Sequence, residues 1–210
     1  MEKQRARTGS EKEYRKEQLK KAALTLFAQK GFKNTTVEMI TKKAHLSPAA
    51  FYLYFNNKIA IYRALNKDGI DILEDLMKQA LHTSGGSSVD KLYALARAYY
   101  NFYREHTDYF YITEILHLGN DEFFYDSAMV KELEKRTLVL LQIVASVIEE
   151  GIEKNELRKI DPMKTAVTLW GMIDGVLILE VKKSTLFTGF MIDALIGQLM
   201  DMVLLGVKKK

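Results

Sequence analysis

The stretch Thr35–Lys58, TTVEMITKKAHLSPAAFYLYFNNK, holds two short helical patterns around a break, and the second opens on Ser-Pro and ends in aromatic residues. Thr35 followed by Glu38 has the form of a capping box, in which each side chain satisfies an orphan backbone donor, so a helix is predicted to start there. Val37, Ile40 and Ala44 fall at spacings of three and four and therefore share one face. The break comes at His45-Leu46. A tight turn of this kind often holds glycine because one residue takes positive φ, and histidine is strained there. Ser47 is then the expected cap of the next helix, with Pro48 at its first position, where a missing N–H does no harm.

On that second helix Phe51 and Phe55 lie four apart and should turn inward, which leaves Pro48, Ala49, Ala50, Tyr52, Leu53 and Tyr54 nearer the outer surface. Such a unit can lay a helix in the major groove of DNA. Alanine or a proline ring can touch a thymine methyl but cannot make a bidentate hydrogen bond, so direct base readout should be modest. Tyr52, Tyr54 and Lys58 have the reach for phosphate oxygens, and Lys58 begins the next helix, whose N-terminal dipole also favours an anion.

Leu19, Ala22-Ala23, Leu26-Phe27, Gly31-Phe32, Thr35-Thr36-Val37, Ile40, Ala44, Leu46-Ser47, Phe51-Tyr52, Tyr54-Phe55 and Lys58 together resemble the TetR family of transcriptional repressors over roughly fifty residues. The resemblance implies an all-α homodimer, with an N-terminal three-helix helix-turn-helix DNA-binding domain over residues 1–56 and a C-terminal helical ligand-binding and dimerisation domain over 57–210. It also implies DNA contacts from Thr36, Ser47, Pro48, Ala49, Ala50, Tyr52, Leu53, Tyr54 and Lys58. Two positions depart from the family pattern. His45 stands at the usual turn glycine, and Ala49 where glycine is frequent.

Composition points the same way. The 210 residues are 48% hydrophobic, enough for a substantial core. No uninterrupted apolar run approaches a membrane span and the N-terminus lacks the apolar centre of a signal peptide, so the expectation is a cytoplasmic protein that does not engage a membrane. Zero cysteines remove disulfides and thiolate metal sites, and the four histidines show no ligand spacing, so neither a metal nor a cofactor is expected. The chain also lacks a nucleophile elbow, a phosphate loop or paired carboxylates in a recognisable context, which argues against an enzyme. Charge is unevenly spread. Residues 1–66 hold 14 Lys or Arg against 5 Glu, a balance of +9, while residues 67–210 hold 17 against 22, a balance of −5. The basic N-terminus is either an arm that follows phosphates or a solvated tail.

Periodicity predicts about nine helices and no strand. The first covers 11–30 and stops at Gly31, the fourth covers 57–81, the Gly/Ser-rich Thr83–Ser88 breaks the chain, and later helices cover 89–105, 107–118, 121–154, 162–182 and 188–207. Between Tyr93 and Tyr125 lie 11 of the 22 aromatic residues. They fill a core, line a ligand cavity, or do both. With the family resemblance admitted, Tyr99, Tyr103, Phe110, Phe124 and Trp170 are the expected wall of a cavity for a small hydrophobic or aromatic effector. Glu114, His117 and Asp174 sit in apolar surroundings and either anchor that effector or bond elsewhere in the protein.

The last two predicted helices are apolar on more than one face, and the eighth contains Gly171-x-x-x-Gly175. Such helices need neighbours on more than one side, which a four-helix bundle formed with a second copy supplies. Gly171, Gly175, Leu195, Leu199 and Met202 are the expected contacts. A twofold dimer of this kind calls for a palindromic operator, released when an effector favours another helix spacing. An activator or architectural DNA-binding protein of the same fold is the alternative.

Overall fold

The computed structural model describes residues 2–115, 127–181 and 192–209. Among them the chain is helical and without a named strand: α1 (Glu2–Lys30), α2 (Val37–Lys43), α3 (Pro48–Tyr52), α4 (Lys58–Thr83), α5 (Ser88–Glu105), α6 (Thr107–Phe110) running into a π-helical turn (Tyr111–Ile115), α7 (Ser127–Glu153), α8 (Pro162–Val181) and α9 (Ile192–Val207). Packing groups these into two compact units, residues 1–70 with 106–131 and residues 71–105 with 132–210. The division at 56 and 57 drawn from the motif differs, because the first turns of α4 and the α6 segment bury their apolar faces with the helix-turn-helix.

In the first unit α1 sends Leu19, Ala23 and Phe27 inward to meet Phe32, Ile40, Phe51, Ile61, Tyr62 and Leu65, all buried. The rings of Phe27, Phe32 and Tyr62 form a cluster with centroids 5.3 to 6.1 Å apart. Edge and tilted contacts of this kind add to the area buried. The Tyr62 hydroxyl donates to the Ile112 carbonyl at 3.0 Å, and burial pushes its pKa well above the usual tyrosine range. That bond ties α4 to the π turn. Gly69 makes the same junction possible, since a Cβ there would sit 2.9 Å from the Thr113 methyl. Lys20, largely buried, pairs with Asp68 at 2.6 Å and Glu17 at 2.7 Å, which offsets the cost of enclosing its charge.

α1 begins at Glu2, nine residues before the predicted start, so the basic N-terminus continues the helix rather than forming a loose arm. Its residues are mostly strong helix formers, and farther along the helix the Arg15–Glu11 pair at 2.6 Å adds support. Gly31 ends the helix with φ 77°, as its position predicted.

In the second unit the core comes from Leu73 and Met77 of α4, Leu92, Leu95 and Phe102 of α5, Leu140, Val147 and Ile148 of α7, Leu169, Ile173 and Leu177 of α8, and Ile196, Met200 and Leu204 of α9. Helix ends are capped by side chains. Ser87 and Asp90 form a reciprocal cap at the start of α5, and Asp161 takes the Lys164 N–H at 2.9 Å at the start of α8. Both aspartates are held below the usual carboxylate range, Asp90 chiefly by the Ser87 hydroxyl and Asp161 by the Lys164 N–H. The Glu156 carboxylate accepts the Ser88 N–H at 2.6 Å, closing the end of the unit where the chain turns after α7 at Asn155, with φ 60°.

Candidate nucleic-acid interface and effector cavity

The α2–α3 unit starts one residue later than predicted. Thr36, not Thr35, caps α2, its hydroxyl accepting the Met39 N–H at 3.3 Å. Thr35 is instead buried and donates to the Gly31 carbonyl at 2.8 Å, so it locks the α1–α2 connection. The expected Thr35–Glu38 capping box therefore does not form. Glu38, with its own backbone N–H and the Thr36 hydroxyl as donors, has its pKa held down. His45 takes φ 54° at the turn, the left-handed conformation its position demands, and Ser47 caps α3 by accepting the Ala50 N–H at 3.2 Å.

Phe51 and Phe55 are buried with rings 5.7 Å apart, which fixes the face that α3 shows to solvent. Thr36 at the start of α2 and Ser47, Pro48 and Ala49 at the start of α3 are exposed, and Ala50 and Tyr54 are half-buried. Tyr52 and Leu53, 58% and 73% exposed, are large side chains with nothing covering them. Lys58 differs from its predicted role. Its ammonium donates to the Phe32 carbonyl at 2.7 Å and lies 4.1 Å over the Phe32 ring, because the α1–α2 turn leaves that carbonyl outside any helix. It braces the domain rather than reaching outward. Lys42 and Lys43, exposed in the last turn of α2, carry positive charge on the same unit, and the paired lysines were the signal for them.

In the second unit a small apolar cavity of about 40 Å³ is lined by Met77, Leu92, Leu95, Ala96, Tyr99, Trp170 and Met200, among others. Tyr99 and Trp170 stack with centroids 4.9 Å apart. At their polar ends the Tyr99 hydroxyl and the Trp170 N–H both meet the Asp174 carboxylate, whose pKa burial raises while these two donors pull it down. A wider cleft of about 330 Å³ lies between α5 and α9, lined by Tyr93, Arg97, Tyr100, Asn101 and Arg104 on one side and Asp193, Ile196, Gly197 and Met200 on the other.

The profile of the "Bacterial regulatory proteins, tetR family" matches residues 19–65, the segment that builds the helix-turn-helix. Residues 19–65 thus carry a tetR-family DNA-binding segment. Among relatives of the chain, the HTH-type transcriptional regulator YfiR of Bacillus subtilis (strain 168) is 25% identical over 177 residues, which span 81% of this chain and 82% of YfiR. IcaR of Staphylococcus aureus (strain Newman), a biofilm operon icaADBC HTH-type negative transcriptional regulator, is 34% identical over 71 residues, 34% of this chain and 38% of IcaR. The crystal structure of the transcriptional regulator FadR from Bacillus subtilis in complex with stearoyl-CoA superposes with a TM-score of 0.74 at 17% identity, covering 89% of this chain and 96% of that one.

The effector residues expected from the sequence do not all come together. Tyr99, Tyr103, Trp170 and Asp174 belong to the second unit, whereas Phe110 and Glu114 belong to the first. Phe110 is fully buried there as core, since α6 packs it inward with Ile112. Tyr103 stands two turns of α5 from Ala96, near Glu180, and does not line the cavity. His117 and Phe124 lie outside the described residues.

Proposed function

We propose that the chain is a TetR-family regulator that acts as a homodimeric, ligand-responsive repressor. Two copies join through α8 and α9, present their α3 helices to successive major grooves of a palindromic operator, and leave it when a small hydrophobic effector enters the cavity beside Tyr99 and Trp170. The observation that carries the DNA reading is the exposed α3 face, with Tyr52 and Leu53 uncovered while Phe51 and Phe55 anchor the helix from behind.

The dimer reading is supported by apolar side chains that stand exposed among the described residues: Val167, Met172 and Leu179 on α8, and Met202 and Leu205 on α9, the last two 68% and 79% exposed. Gly171 and Gly175 leave open space above the α8 backbone, and Leu195 and Leu199 are half-buried on α9. Pro162–Glu180 is also long and apolar enough to cross a membrane by length and composition. Its inner face, however, fills the helical core through Ala166, Leu169, Ile173 and Leu177, which favours a protein partner over lipid and a cytoplasmic setting. The repressor reading is supported by the negative regulator among the relatives, and the effector reading by the structural neighbour that holds a ligand.

The test is selection of bound duplexes from random or genomic DNA, followed by mapping in cells. Few inverted-repeat sites overlapping promoters are expected. Binding at many unrelated sites with no dyad would favour the architectural alternative.

A further inference from the structure

The side chains of the α3 segment fall into four rows, each made of residues four apart, and burial is graded across them. Phe51 and Phe55 are buried, and the neighbouring row of Ala50 and Tyr54 is half-buried. The rows of Pro48 with Tyr52 and of Ala49 with Leu53 are exposed. Leu53, just past the end of α3, keeps right-handed helical dihedrals, φ −73° and ψ −18°, so it still stands one turn beyond Ala49 on the same face. Ala49 and Leu53 lie two residues either side of Phe51, and at 3.6 residues per turn that row points directly away from the buried anchor.

That outermost row is apolar, and its surroundings supply no alternative reader. Between Ser47 and Phe55 there is no Arg, Lys, Asn, Gln, Asp or Glu, the side chains that pair with base edges through bidentate or charged hydrogen bonds. The Ser47 hydroxyl caps the helix by accepting the Ala50 N–H at 3.2 Å, and a lone Tyr52 hydroxyl bonds a base or a phosphate alike. Beyond the segment Asn57 is taken up in capping α4, accepting the Ala60 N–H at 2.8 Å. The major-groove feature that an apolar side chain matches is the C5 methyl of thymine. Lys33, Lys42 and Lys43 are exposed on the same unit, and phosphate contacts from such lysines hold any sequence equally. Charge therefore supplies grip, and choice is left to the apolar row.

We propose that α3 selects its operator by thymine methyl groups, with Leu53 and Ala49 packed on the C5 methyls of A·T pairs in each half-site. The proposal rests on the DNA reading and narrows it to one class of base contact. Ala49 and Leu53 are about 6 Å apart along the helix axis, close to the roughly 6.8 Å of two base-pair steps. A helix lying along the groove thus addresses thymines about two steps apart.

The test uses the full chain and a duplex it selects from random DNA, compared with the same duplex carrying deoxyuridine in place of thymines in the half-sites. That exchange removes the methyl group and nothing else. Binding is followed by fluorescence anisotropy. Uracil at one symmetry-related pair of thymines should weaken binding about ten-fold, the transfer value of two buried methyl groups. Leu53 is 73% exposed and supports no core, so Leu53→Ala should keep its helicity by circular dichroism. The variant should bind the thymine duplex more weakly and lose most of the uracil penalty at one of those pairs. Equal affinity for the thymine and uracil duplexes, or selected half-sites without thymine, would overturn the proposal and leave DNA binding intact. A uracil penalty that Leu53→Ala retains in full at every position would overturn it as well. If the chain selects no duplex at all, the DNA reading itself fails.

Discussion

Asp174 is the residue at which burial and hydrogen bonding oppose each other most directly. Enclosure raises its carboxyl pKa, and the Tyr99 hydroxyl and the Trp170 N–H pull it down without cancelling the rise. A carboxyl whose folded pKa lies above its unfolded value contributes fully only below the unfolded value, and the contribution is lost as pH rises through the folded one. Asp174→Asn keeps an acceptor for both donors but removes the ionisation. Its stability relative to the unaltered chain should therefore improve as pH rises from about 4 to 7, measured as urea midpoints at each pH. A difference independent of pH would contradict the picture of a carboxylate strained by burial. The same polar cluster shows what the sequence could reveal. Asp174 stood out because it interrupts an apolar run, but its partner Tyr99 lies on another helix, so only packing could say whether the carboxylate faces a ligand or a neighbour. Lys58 is a parallel case. Its place at a helix start suggested an anion, and the nearer acceptor proved to be the Phe32 carbonyl.

At the scale of elements, local chemistry made the helix-turn-helix readable. The Ser47-Pro48 start, the Phe51/Phe55 spacing and the glycine-like turn each use short-range rules, and the structure follows them. The cap of α2 was placed one residue early because Thr35 and Thr36 are chemically alike. Burial, which sends Thr35 to the Gly31 carbonyl and leaves Thr36 outside, breaks that tie. The π turn at Tyr111–Ile115 was not legible at all, since nothing in the spacing of YITEI distinguishes it from an ordinary helix. Two expectations follow for the α2–α3 unit. His45→Gly relieves left-handed strain on the order of 1 kcal/mol, partly offset by the greater freedom of glycine in the unfolded chain, so thermal unfolding should shift slightly upward. A marked downward shift would mean that the His45 side chain has a stabilising contact. Phe51→Ala should cost about 3 to 5 kcal/mol and abolish duplex binding, because α3 then loses the anchor that sets its exposed face.

For the whole molecule, fold class was legible because helical periodicity runs through nearly every segment, and the uneven charge pointed to the end that meets DNA. The grouping of residues 106–131 with the helix-turn-helix was not, since it depends on contacts between segments far apart in sequence. The apolar outer face of α8 and α9 is a whole-molecule property too, visible in sequence as excess hydrophobicity and in structure as uncovered Met202 and Leu205. Replacing both with glutamate would place like charges opposite each other across the proposed twofold interface. Sedimentation should then show a single subunit at micromolar concentration, with operator affinity lost in parallel and helicity retained. A double variant that still sediments as a dimer would remove this face from the interface.

Paired α3 helices, held at a fixed separation, should grip one face of duplex DNA. Hydroxyl-radical footprinting of the chain on a selected duplex, with stoichiometry from sedimentation of the same complex, tests it most directly. The expected result is one dimer per site, with two protected half-sites about 34 to 36 Å apart related by a dyad. A monomer that protects no duplex at low ionic strength would contradict it.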